Sequence, residues 1–258
     1  MINDLKGFLW LLKFGVLVNL YFLGQTFIPL LDSVSANILF PARILFIVSA
    51  FRCLFPVRYK DNVVFHNSPL SSVFLTRLFA TFSEIALIYL FAYVLRLLNI
   101  SRVGWVDVLS WLMVTQVVVS QCFVWGSILT GQLRLFFYEE LGWALIYTLN
   151  TIASVYLLLA QDNLGDRELL LQLNLLFGLI YLPWQFFHLR ALRADTIQAE
   201  SLPKAANPIS RKSILLQGLH QAIHVKNQTS EARLWGGISQ DGITQNGSRS
   251  TGWGELFL

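Results

Sequence analysis

Charged side chains are scarce in this chain. Asp, Glu, Lys and Arg make up 13% of its 258 residues, where a water-soluble domain carries about 25%. So few charges cannot coat a globule of this length, so a water-soluble fold is excluded and a bilayer is the matching solvent. Cysteine is nearly missing. Cys53 and Cys122 stand alone, with no C-x-x-C and no Cys/His zinc spacing, which excludes a disulfide framework and a zinc fold. Both lie in or beside apolar segments, as small packing residues do. S-acylation of Cys53, near a helix end, is the alternative.

Histidine occurs four times, at positions 66, 188, 220 and 224, and nowhere as H-x-x-H-H. A histidine-rich di-iron hydroxylase is excluded, and His220 with His224 lack a third ligand for zinc. The last apolar segment holds no lysine, so a retinal Schiff base has no anchor there. "WGSI" is not the serine motif of an intramembrane rhomboid protease. The loop "QDNLGDRE" carries Asp162, Asp166 and Glu168, but no second acidic loop answers it, as Mg²⁺-dependent prenyl transfer requires. Basic residues form no single patch, and the formal charge is only +4, so nucleic acid is not an expected partner. No pattern specifies a cofactor.

Apolar residues are abundant. They make up 55% of the chain, aromatics 14%, and the mean hydropathy is +0.57. The apolar runs fill the first three quarters and stop near His188; Gly, Ser, Gln, Asn and charge follow. The composition predicts an all-α, polytopic membrane helical bundle over residues 1–190 and a polar tail over 191–258. Six segments approach the roughly 20 apolar residues that a spanning helix needs: 14–31, 34–54, 73–98, 106–129, 141–159 and 169–189. They are long continuous runs rather than ten-residue alternations, which argues against a barrel. "SVSAN" at 33–37 offers a signal-peptide cleavage site, but the preceding apolar run is long for one and Asp4 sits before it.

Basic residues near the segment ends indicate orientation. Lys6 and Lys13, Arg52, Arg58 and Lys60, then Arg190, Arg193, Lys204, Arg211 and Lys212 all favour both termini on the cytoplasmic side. Arg96 and Arg102 dissent. In the tail, "SRKSILLQGLHQAIHVK" repeats Leu215, Leu216, Leu219 and Ile223 at helical spacing between basic flanks. An amphipathic helix is expected near 210–226, lying on an anionic leaflet or packed on the cytoplasmic loops.

The charges inside the apolar segments are the candidate site. An ionised group at the bilayer centre costs roughly 2.5–3.5 kcal/mol, so such groups face protein and find partners. Arg77 and Glu84 are seven apart and therefore within about 20° of one helix face, with Thr81 between them. Arg77 is near enough to a helix end to snorkel to the interface; Glu84 is deeper. Arg43 and Glu84 each count about 16 Å from the same side, which predicts an Arg43–Glu84 pair beside a bend at Pro41. Glu139, Trp143 and Asn150 share a second face, with Glu140, Tyr147 and Thr151 on the adjoining one. Gln116 pairs with Ser120, and Gln121 with Trp125, at a spacing of four. Trp184, Gln185 and His188 follow Pro183.

Two uses of these stripes compete. Polar side chains brace helices against each other, at about 0.6 kcal/mol per contact. Alternatively, Arg43, Arg77, Glu84, Gln121, Trp125, Glu139, Trp143 and Asn150 line a site for a small or amphipathic ligand. Catalytic residues are not assigned. Glu84, Glu139 and Glu140 are the carboxyl candidates for acid–base chemistry on a lipid or isoprenoid, although "EE" before the apolar run also fits a helix N-terminus. Three classes therefore remain: a binding or transport protein, a small membrane-embedded enzyme, and a structural subunit of a membrane complex. The partners are the lipid bilayer, a lipid or small amphipathic ligand, and further copies or other subunits.

Overall fold

The computed structural model describes residues 2–28, 36–58, 63–64, 68–160, 168–201, 210–225 and 227–228. They form the helices α1 (Ile2–Gln25), α2 (Ala36–Leu54), α3 (Val73–Leu98), α4 (Gly104–Thr130), α5 (Leu133–Ala160), α6 (Glu168–Ser201) and α7 (Arg211–His224). Five of these, α2 to α6, are long and apolar enough to cross a membrane. Their outward faces are apolar: Leu159, Leu179, Ile180 and Phe187 are exposed, while Arg77, Glu84, Glu139 and Asn150 are buried. Exposed apolar faces around a polar interior mark an all-α bundle built for a hydrocarbon solvent, since in lipid it is polar groups that must be enclosed. The expected first span, 14–31, coincides with α1 as far as Gln25 and continues into residues outside the described set. The "SVSAN" stretch likewise begins outside it.

Helices adjacent in sequence pack against each other from α1 through α6, and α3 also meets α5. Tight connections enforce this order. Between α3 and α4, Asn99 closes the turn. Its Oδ1 accepts from the Val103 backbone N–H at 2.9 Å, and its Nδ2 donates to Asp107 Oδ1 at 3.0 Å. Arg96, the dissenter in the orientation pattern, lies over the Trp111 ring at 4.3 Å. Between α4 and α5, Gly131 adopts φ 69° and its N–H caps Ser127 O, a left-handed stop that glycine takes without strain. Only residues 131–132 separate the two helices, so α5 begins at Leu133 rather than near 141. Glu139 and Glu140 consequently sit in the second turn of α5, not at its N-terminus, and dipole compensation does not explain them. At the other end of the bundle's sequence, α6 runs through Pro183 to Ser201, well past 189.

The main core joins Ile88, Leu95, Met113, Val117, Ile146 and Leu157 from α3, α4 and α5. A smaller one forms where the tail returns. β1 (Val57–Arg58), β2 (Val63–Val64) and β3 (Asn227–Gln228) make a small sheet, with β1–β2 antiparallel and β2–β3 parallel. Above it, Val57, Val64, Val73 and Ala222 pack together with Phe74 and Ile128. The amphipathic stretch is thus the helix α7, seated on α3 and α4. The expected placements are a leaflet or the loops; Ala222 does meet Val57 and Val64 between α2 and α3, and the helix also packs on α3 and α4 themselves.

Candidate functional site

The α3 helix starts at Ser72, whose side chain accepts from the Leu75 N–H at 3.2 Å. That start places Arg77 about one and a half turns in and Glu84 two turns further on the same face. Both are buried, Arg77 at 2% and Glu84 at 7% exposure. Side chains tilt toward the helix N-terminus, so Glu84 leans back to Arg77. Arg77 Nη2 donates to Glu84 Oε2 at 2.7 Å and to Gln121 Oε1 at 2.6 Å, and Gln121 Nε2 donates to Glu84 Oε2 at 2.8 Å. Three side chains from α3 and α4 thereby close a triangle. From α5, Glu139 Oε1 lies 3.6 Å from Arg77 Nη2.

Trp125 covers this group. Its Nε1–H donates to Thr81 Oγ1 at 3.0 Å, and the Thr81 hydroxyl donates to Arg77 O at 3.0 Å. The indole also meets Phe74 edge-on at 5.5 Å. On the other side of α5, Glu140 faces α6. Gln185 Nε2 donates to both Glu140 O and Glu140 Oε2 at 2.8 Å, and His188 Nε2 is 3.7 Å from Glu140 Oε1. Deeper along the bundle lies an aromatic layer. Trp143 stacks on Tyr147 at 6.1 Å and Tyr147 meets Tyr181 at 4.3 Å. Trp184 instead stacks on His188 at 5.0 Å and remains 37% exposed, so it stands at the rim.

Two expectations need correction. Arg77 does not snorkel: it is buried, and its Nη2 is held by Glu84 and Gln121 with Glu139 close by. The Arg43–Glu84 pair does not form. Arg43 Nη2 donates to Thr26 O at 2.6 Å and Nε to Thr26 Oγ1 at 3.1 Å, while its guanidinium lies over the Phe27 ring at 4.1 Å. Equal depth put Arg43 and Glu84 at one level, but helix rotation turns Arg43 toward the end of α1. Asn150 is also separate from the Arg77 group. It exchanges hydrogen bonds with Asn174 of α6 at 2.8 and 3.3 Å, and Asn174 donates to Ser154 Oγ at 2.8 Å. These amides brace α5 on α6. Asn174→Leu is expected to lower stability by about 1–2 kcal/mol, read as a fall in the unfolding midpoint of the purified protein; an unchanged midpoint would show that the brace contributes nothing.

Sequence reasoning overlooked Tyr181, whose hydroxyl is buried without a hydrogen-bond partner among the described residues. Its position four before Gln185 and seven before His188 carried the signal. The network sets two carboxyl groups, those of Glu84 and Glu139, beside one guanidinium, while the third, Glu140, turns to Gln185 and His188 of α6. Glu84 Oε1, Glu139 Oε2 and Gln185 Oε1 are buried acceptors that receive no hydrogen bond among the described residues. Compared with protein families, curated proteins and solved structures, the chain matches none. Function is therefore argued from this geometry alone.

Proposed function

We propose that the chain is a multi-pass integral membrane protein that binds or transports a small or amphipathic ligand at the Arg77–Glu84–Gln121–Glu139 network. The observation that carries this reading is the pair of buried carboxyl oxygens, Glu84 Oε1 and Glu139 Oε2, that receive no hydrogen bond among the described residues. A buried carboxylate oxygen without a donor is costly, by about 1–3 kcal/mol or more for a charged group, and such orphans are rare in structures. Glu84 Oε2 and Glu139 Oε1 face the Arg77 guanidinium, and the second oxygen of each carboxyl group is the one left without a donor among the described residues. The ligand that completes the site is one presenting N–H or O–H donors, a cationic amine being the simplest. With α1 taken as a sixth span before α2 to α6, both termini are assigned to the cytoplasmic side on the basic residues before α1 and around α2, α6 and α7, in the sense of the positive-inside rule.

A brace with no ligand is the competing reading, favoured by the full burial of Arg77. The variants Glu84→Gln and Glu139→Gln separate the two, since each keeps the side-chain shape. Protein released from its membrane in mild detergent is expected to carry a small-molecule adduct by native mass spectrometry. Each variant is expected to lose that adduct at least tenfold while its unfolding midpoint stays within a few degrees. Unsubstituted protein free of any adduct, with variants that lose stability, would establish the brace.

A further inference from the structure

A cavity lies outside the buried network, on the outer seam between α4 and α5. It measures about 530 Å³ and is lined by Gln116, Phe123, Tyr138, Gly142, Leu145 and Thr148, among others. Gly142 forms its base, because any side chain there would strike Ser120 Oγ and Gln116 Nε2 of α4. Phe123 and Tyr138 form one wall, with ring centroids 5.8 Å apart. Along α5 the lining runs from Tyr138 to Thr148, about 15 Å at the helical rise. Leu141, Leu145, Val118 and Val119 around it are exposed, so the groove opens sideways onto the apolar surface of the bundle.

A cation stands beside Tyr138, just beyond one end of this groove. Arg134 is exposed, one turn before Tyr138. Its Nε–H donates to the Tyr138 hydroxyl at 3.1 Å, and its guanidinium lies 5.6 Å from the centre of that ring. It is the second residue of α5, whose first turn contains no acid, so the positive end of the helix dipole adds to its charge. An apolar channel that begins at a guanidinium near a helix end matches a lipid with an anionic headgroup and a hydrocarbon chain. A sterol or a quinone would use the channel but not the charge.

We propose that this groove holds one acyl chain of an anionic phospholipid, with the phosphate at Arg134 and Tyr138. The inference needs only that α4 and α5 cross a bilayer. None of Arg77, Glu84, Gln121 and Glu139 lines the groove, so it stands or falls apart from the ligand reading above. The test uses the full chain in mixed micelles of phosphatidylglycerol and phosphatidylcholine in equal amounts, with retained lipid counted by native mass spectrometry. Phosphatidylglycerol is expected to be retained in preference. Arg134→Gln should reduce that preference about fivefold, the effect of one basic side chain near an anionic surface. Thr148→Phe, at the far end, should reduce retention of both lipids by obstructing the chain. Both positions are exposed, so neither change removes core packing, and an unchanged unfolding midpoint checks this. Equal retention of the two lipids, or a preference that survives Arg134→Gln, or retention untouched by Thr148→Phe, would overturn the proposal.

Discussion

Arg77→Met is expected to destabilise the bundle by about 3–5 kcal/mol, the cost of removing one partner from a buried ion pair. The change leaves Glu84 and Glu139 enclosed without the cation they share. It also removes the donor to Gln121 Oε1, which sits 2.6 Å from Arg77 Nη2. The double variant Arg77→Met with Glu84→Leu should recover a large part of that loss, because two apolar side chains of similar volume replace two charges. Unfolding of the purified protein in detergent measures Arg77→Met, Glu84→Leu and the double variant against the parent. Two single effects that simply add, within about 0.5 kcal/mol, would sink the pairing. Arg43 supplies the internal comparison. It is only partly buried and bonds Thr26, so Arg43→Met should cost less and should couple to Thr26 rather than to Glu84.

The second large effect is expected at Gly218, in the middle of α7. Gly218 is buried, and a methyl group built on it would land on the carbonyl oxygen of Leu129 in α4. Ala222, one turn on, is buried as well. Two small residues at a spacing of four thus bring the α7 backbone against the end of α4. Backbone cannot move aside as a flexible side chain can, so Gly218→Leu should lift α7 off its seat. Overpacking of this kind costs typically about 1–3 kcal/mol, which raises the undocked population about fivefold to 150-fold. Limited trypsin digestion reads this at Arg211 and Lys212, at the start of α7. Cleavage there should accelerate by the same factor while the segments of α3 and α4 stay protected. A rate equal to the parent's would show that α7 is not held by this contact.

Legibility in the sequence varied with the kind of question. The stripe of Arg77, Thr81 and Glu84 could be read from spacing, and all three do face inward, with Thr81 held by Trp125. The face of Glu139, Trp143 and Asn150 could be read in the same way, and all three are buried. The start of α5 could not. Leu133 to Tyr138 continue the helix because Gly131 ends α4 abruptly, and an apolarity count cannot sense a backbone angle. Gln185 was visible as a polar residue of the last long segment, but its bonds to Glu140 depend on how α6 leans on α5.

The sequence by itself determined the solvent, the helical class and the direction each polar side chain takes from its own helix axis. Composition decides the first two, since so few charges cannot cover a soluble surface. Periodicity decides the third, since seven residues nearly complete two turns. Only the tertiary structure decided which polar groups meet. Depth along the bundle put Arg43 and Glu84 level with each other, yet Arg43 turned to Thr26 and Glu84 to Arg77 and Gln121. That choice depends on the rotation of each helix about its axis, which is set by contacts between helices such as Gly142 on Ser120. Spacing within one helix carries no record of that rotation.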